Sequence, residues 1–147
     1  MTTTVPVKKL RPEAQLPAYG SEFAAGADLY ACLDAPVTLA PHSTQFIPTG
    51  LAMELPVGWV GMVCARSGMA SKRDLAPANK VGVIDCDYRG ELTVALHNHG
   101  EKPQTVEPGE RIAQLLIMPC LTARFIEADT LSNTVRGEGG FGSTGFK

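Results

Sequence analysis

The sequence predicts an all-β domain built as a sandwich, jelly roll or barrel. Fifteen glycines and eleven prolines in 147 residues cut the chain into short apolar segments. In one of these, Leu92, Val94 and Leu96 alternate with Thr93, Ala95 and His97, the period of a half-buried strand. Sequence suited to a helix is scarce. Many short strands separated by turn residues leave sheet-on-sheet or barrel packing as the way to build a core.

The elements follow in order. Gln45–Ile47, Leu51–Leu55, Trp59–Val63 and Ile112–Ile117 read as further strands, separated by turn signals at Pro48-Thr49-Gly50, Pro56-Val57-Gly58, His99-Gly100 and Pro108-Gly109. One short helix is expected from about Ser67 to Arg73, with Ser67 as its cap. An apolar strand leads into Asp85. From Ser132 onward the chain turns glycine-rich and has too little apolar surface to pack alone. The expectation is a β domain over 1–131 and a flexible arm over 132–147 that is mobile until something holds it.

Composition narrows the function classes. The 44% hydrophobic and 19% charged fractions are those of one soluble globular domain. A net charge of −2 supplies no general field for nucleic acid or an anionic membrane, so neither is an expected partner. The N-terminus lacks the apolar core of a secretory signal, and no stretch has the length of a spanning helix. Cys32, Cys64, Cys86 and Cys120 form no Cys-x-x-Cys pair, so reduced thiols in the cytoplasm are expected.

Several segments offer chemistry. In Gly82-Val83-Ile84-Asp85-Cys86-Asp87-Tyr88-Arg89-Gly90 a carboxylate stands at a strand end beside an aromatic ring, placed to orient a water and take its proton. In extended chain Asp85 and Asp87 share a face, roughly 7 Å apart. The same residue types also make an ordinary turn. Ala65-Arg66-Ser67-Gly68 puts an arginine fork and a hydroxyl at a helix start, a setting for phosphate or simply a cap beside a surface arginine. Asp28 is the one acid in Ala25–Ala31; it suits a divalent cation through water, or an ion pair with an arginine such as Arg66. Gln114 follows a Pro-Gly turn on a strand, where an amide is commonly structural.

The tail Arg136-Gly137-Glu138-Gly139-Gly140-Phe141-Gly142-Ser143-Thr144-Gly145 can turn backbone N–H groups and two hydroxyls toward an anion, and Phe141 can stack on a base. It has neither the lysine of a Walker loop nor the βαβ setting of a dinucleotide fingerprint. His97 and His99 lack the further ligands a zinc site needs, and no Gly-x-Ser-x-Gly elbow supports a serine hydrolase.

Taken in order, the Asp28, Arg66, Asp85, Gln114 and Arg136–Gly145 segments closely resemble the five motifs of the deoxyuridine triphosphatase family, from Ala25 to Gly145. The resemblance implies a jelly-roll-like β fold of the β-clip type, assembled as a homotrimer with active sites at subunit junctions. It implies hydrolysis of dUTP to dUMP and pyrophosphate with Mg2+ on the triphosphate, a reaction that limits uracil in DNA and supplies dUMP for thymidylate synthesis. By motif, Asp85 would be the general base, and Tyr88 would pack against the deoxyribose and leave no room for a 2′-hydroxyl. Asn79 would sit in a hairpin that binds uracil, with Gly82, Val83 and Ile84 beside it. Arg66, Ser67, Gly68 and Gln114 would hold phosphate oxygens, and Asp28 would assist the metal through water. Phe141 would cover the base, with Arg136, Gly142, Ser143 and Thr144 closing over the nucleotide. The dCTP deaminases share the fold, but the glutamate they use for proton transfer would fall at Ala95.

Overall fold

The computed structural model describes residues 3–140 and Ser143. Among these the strands are β1 (Val7–Lys9), β2 (Ala18–Tyr19), β3 (Ala27–Tyr30), β4 (Val37–Leu39), β5 (Thr44–Pro48), β6 (Leu51–Met53) and β7 (Trp59–Cys64). A helix, α1 (Ser67–Arg73), precedes β8 (Leu75–Pro77), β9 (Val81–Ile84), β10 (Thr93–Asn98), β11 (Gln104–Val106) and β12 (Arg111–Pro119). They form antiparallel sheets in the orders β2-β3-β12-β7-β9, β5-β10-β8, β1-β6 and β11-β4. The result is a jelly-roll arrangement of open sheets, and no sheet closes into a barrel among the described residues.

The predicted alternation becomes β10, whose Val94, Leu96 and Asn98 are buried while Thr93 stays exposed. Leu29, Leu39, Ile47, Leu75, Leu96 and Ile112 come from different elements and meet in one core, each essentially sealed from solvent. Burial of side chains this size contributes about 1.5–3 kcal/mol apiece. The end of β10 also buries a polar side chain. Asn98 donates to the carbonyls of Leu39, Ala40 and Lys102 and accepts from Gly100 N, which removes the penalty of a buried amide.

Some expectations shift. The Leu51 strand stops at Met53, whereas the Ile112 strand runs over nine residues because β3 and β7 pair with it on both sides. Ser67 is not the helix cap. Arg66 holds that position in extended conformation with no side-chain cap bond, and Ser67 is the first helical residue. Nor do Asp85 and Asp87 continue an extended strand, because β9 ends at Ile84 and Tyr88 N donates to Asp85 O across a turn. After β12 the chain leaves the body, and residues 121–138 are exposed throughout. No helix is long and apolar enough to cross a membrane among the described residues.

Candidate functional site

One row of paired residues crosses the five-stranded sheet: Ala18, Asp28, Gln114, Cys64 and Val81. It places the acid of the first motif beside the amide of the fourth, at the point where β7 feeds into Arg66 and α1. Asp28, buried on β3, accepts from Arg66 Nε at 2.7 Å through Oδ1 and from Arg111 Nη1 at 3.1 Å through Oδ2. Gln114 Nε2 donates to Ala65 O at 2.8 Å and so ties β12 to the residue before Arg66. These groups, with Ser67, Gly68, Gly20 and Ser21, line a polar cavity of about 240 Å³. Two guanidinium groups against one carboxylate leave the cavity a net cation, and the first N–H groups of α1 have no side-chain cap. Both features suit phosphate oxygens. A larger groove of about 510 Å³ has mostly apolar walls, among them Val5, Leu16, Trp59 and Ile117, and contains none of the residues singled out from the sequence.

A second cluster lies along β9, one of the two edge strands of the same sheet. An edge strand keeps one line of backbone donors and acceptors free. Gly82 and Ile84 point inward and Val83 outward. A Cβ at Gly82 would stand 3.3 Å from Asn79 Nδ2, so the missing side chain is where the Asn79 amide folds back over the strand. Asn79 itself is in the turn between β8 and β9, with Val81 N donating to its carbonyl. That turn is not a hairpin of paired strands, since β8 pairs with β10 and β9 with β7. Past Ile84, Asp85 is exposed and opens the turn that ends at Tyr88. The Arg89 guanidinium closes this loop on itself by donating to the carbonyls of Cys86 and Tyr88, and reaches Glu54 at 3.4 Å.

The two clusters are apart within one chain. Asp85 lies four residues beyond the row that carries Asp28, about 13 Å along the strand and, three strands over, about 14 Å across the sheet. Arg136 sits in the exposed arm and donates to Gly139 O of that arm, and Ser143 N donates to Gly140 O. Phe141, Gly142 and Thr144 lie outside the described residues. Two contributors escaped the sequence reading. Arg111 was visible only as part of Gly109-Glu110-Arg111-Ile112, and Gly26 only as a small residue before Asp28. Their roles depend on partners far along the chain.

The chain matches the dUTPase family over residues 12–145. The chain belongs to the dUTPase family. It is 48% identical over 145 residues to a deoxyuridine 5′-triphosphate nucleotidohydrolase of Syntrophotalea carbinolica, with 99% of each chain covered. A protein of the same name from Desulfitobacterium hafniense is 54% identical over 132 residues, 89% of this chain and 87% of that one. The solved dUTPase of Staphylococcus bacteriophage 80alpha with dUPNHPP superposes with a TM-score of 0.90 at 31% identity, covering 98% of this chain and 99% of that one. Like its dUTPase relatives, the chain is a hydrolase that converts dUTP to dUMP and pyrophosphate.

Proposed function

We propose that each dUTPase site is assembled from more than one copy of the chain, with the base and sugar on the β9 cluster of one protomer and the phosphates in the Asp28–Arg66–Gln114 cavity of another. The observation that carries this reading is the separation of Asp85 from that cavity within one protomer. A closed homotrimer with three equivalent junctions is the simplest assembly that supplies both halves to every site.

In this reading uracil lies against the free backbone edge of Gly82, Val83 and Ile84 with the Asn79 amide at its end. Gly82 and Asp85 are about 10 Å apart along the strand, a span suited to a nucleoside. Tyr88 stacks on the deoxyribose and excludes a 2′-hydroxyl. Asp85 takes a proton from water as the water oxygen bonds to the α-phosphorus and the bond from that phosphorus to the bridging oxygen breaks, releasing pyrophosphate. Arg66, the Ser67 hydroxyl, the N–H of Gly68 and Gln114 hold the phosphate oxygens, so the chain's contribution is mostly position and charge. Arg136, Phe141, Gly142, Ser143 and Thr144 of the arm, residues 132–147, close over the nucleotide of a neighbouring site and exclude water. The reaction is placed in the cytoplasm, where four free cysteines stay reduced.

The described residues hold no cluster of three His, Cys, Asp or Glu that would seize a cation by itself. That donor set fits Mg2+ arriving on the triphosphate. Each Asp28 oxygen has a lone pair left after its arginine bond and can accept from a water in the ion's shell. Bound there, Mg2+ would neutralise charge on the phosphates.

The test is complementation. Asp85→Asn and Arg66→Gln chains are each assayed for pyrophosphate release from dUTP, then unfolded together, refolded as mixed oligomers and assayed again. A shared site restores about a quarter of the activity by random assortment. Mixed oligomers as inactive as the two parents would place the whole site within one chain.

A further inference from the structure

The seat of Tyr88 is built by two residues with no place in the reading above, Gly90 and Glu91. A Cβ at Gly90 would stand 2.6 Å from Tyr88 Cζ and 2.9 Å from Cε2, and closer still to the phenol oxygen. The ring therefore rests directly on the backbone of residue 90, and its phenol donates to Glu91 O at 3.1 Å. Tyr88 is 44% exposed, so the residue stays open to a ligand on the side away from Gly90.

Glu91 is in turn anchored to a fixed part of the fold. Its carboxylate accepts from Gly50 N at 2.8 Å. Gly50 is buried in a left-handed turn, φ +69°, against Ala14 and Cys32. Next to it the fully buried Thr49 donates to Leu92 O through both its N–H and its hydroxyl, and Leu92 N donates to Leu51 O. The loop from Tyr88 to Leu92 is thus pinned at several points to the β5–β6 turn.

We propose that Gly90 and Glu91 are positioning residues that fix the height and tilt of the Tyr88 ring, and that they thereby set discrimination between deoxyribo- and ribonucleoside triphosphates. The inference rests on the reading that Tyr88 packs against the deoxyribose. A methyl group at position 90 would push the ring off its seat. Loss of the Glu91 carboxylate would release the loop from Gly50. Either change opens the space a 2′-hydroxyl needs, and steric discrimination of this kind is lost with displacements of about 1 Å.

The experiment compares kcat/KM for dUTP and UTP in Gly90→Ala, Glu91→Ala, Glu91→Gln and Tyr88→Ala, with melting curves for each. Gly90→Ala and Glu91→Ala are expected to lower the dUTP-to-UTP ratio about tenfold or more. Glu91→Gln keeps an acceptor oxygen for Gly50 N and is expected to retain it. General destabilisation would lower turnover of both substrates together and leave the ratio intact. A ratio kept in Gly90→Ala and Glu91→Ala but lost in Tyr88→Ala overturns the inference alone. A ratio kept in Tyr88→Ala overturns the deoxyribose reading and the inference with it.

Discussion

Gly26 lies so near Gln114 that a Cβ at position 26 would come within 2.6 Å of Gln114 Oε1. The contact fixes the direction of the amide, whose nitrogen donates to Ala65 O just before Arg66. A side chain at 26 would turn the amide, release that carbonyl and shift the arginine. Gly26→Ala is therefore expected to destabilise the fold by about 1–3 kcal/mol, the usual cost of overpacking. It should also raise KM for dUTP several-fold more than it lowers kcat. Melting curves and steady-state kinetics check this, and an unchanged KM would count against a role for Gln114 in holding phosphate.

Asp28 is the hinge of the same cavity because both of its oxygens are taken by arginines. Asp28→Asn keeps the shape but offers one acceptor and no charge to two guanidinium groups. Leaving a partly buried cation under-paired costs about 1–3 kcal/mol. Arg66 and Arg111 should then spread apart, and kcat/KM for dUTP should fall about 10- to 100-fold as phosphate alignment loosens. Raising Mg2+ should recover little of the loss if ion pairing dominates the role of Asp28. Full recovery at high Mg2+ would assign it chiefly to the metal's water shell.

These two residues show what a sequence can and cannot disclose. The β10 strand was legible because its core side chains recur every second residue. β1, β2, β4, β8 and β11 have only two or three residues each, too few for a period to register. The polar cavity was half legible. Arg66 and Asp28 stood in recognisable segments, whereas Arg111 reaches Asp28 across 83 positions and only the β3–β12 register reveals it. Nothing local told that Asp85 would stand at the far end of an edge strand from the residues it was expected to serve.

Acid stability should respond to His99. Partial desolvation, the adjacent His97 ring at 4.4 Å, Lys80 and His42 hold its imidazole below the ordinary value, with Asp74 opposing them. The unfolded chain therefore takes up the proton first as pH falls. The stabilising contribution is complete above the ordinary histidine pKa of about 6.5 and is lost as pH drops through the lower folded value. His99→Gln should flatten the fall in melting temperature between about pH 7 and pH 5 only slightly, because the ring is exposed and solvent screens its neighbours. An acid limb as steep in the variant as in the parent chain would assign the loss to other groups.

The exposed arm is expected to bear on activity rather than on folding. Its described residues make turns among themselves, as in Arg136 Nε to Gly139 O and Gly137 N to Thr134 O. The core cluster draws on residues from Leu29 to Leu115 and on none of the arm. A chain ending after Val135 is therefore expected to melt within a few degrees of the full-length protein and to keep its oligomeric mass. Its turnover of dUTP should drop about 10- to 100-fold, because water reaches the charged phosphates and the base loses its aromatic cover. Adding the arm back as a separate peptide should restore part of the rate only at high concentration, since tethering supplies an effective concentration in the millimolar range. Full turnover in the shortened chain would mean that the β domain alone completes the site.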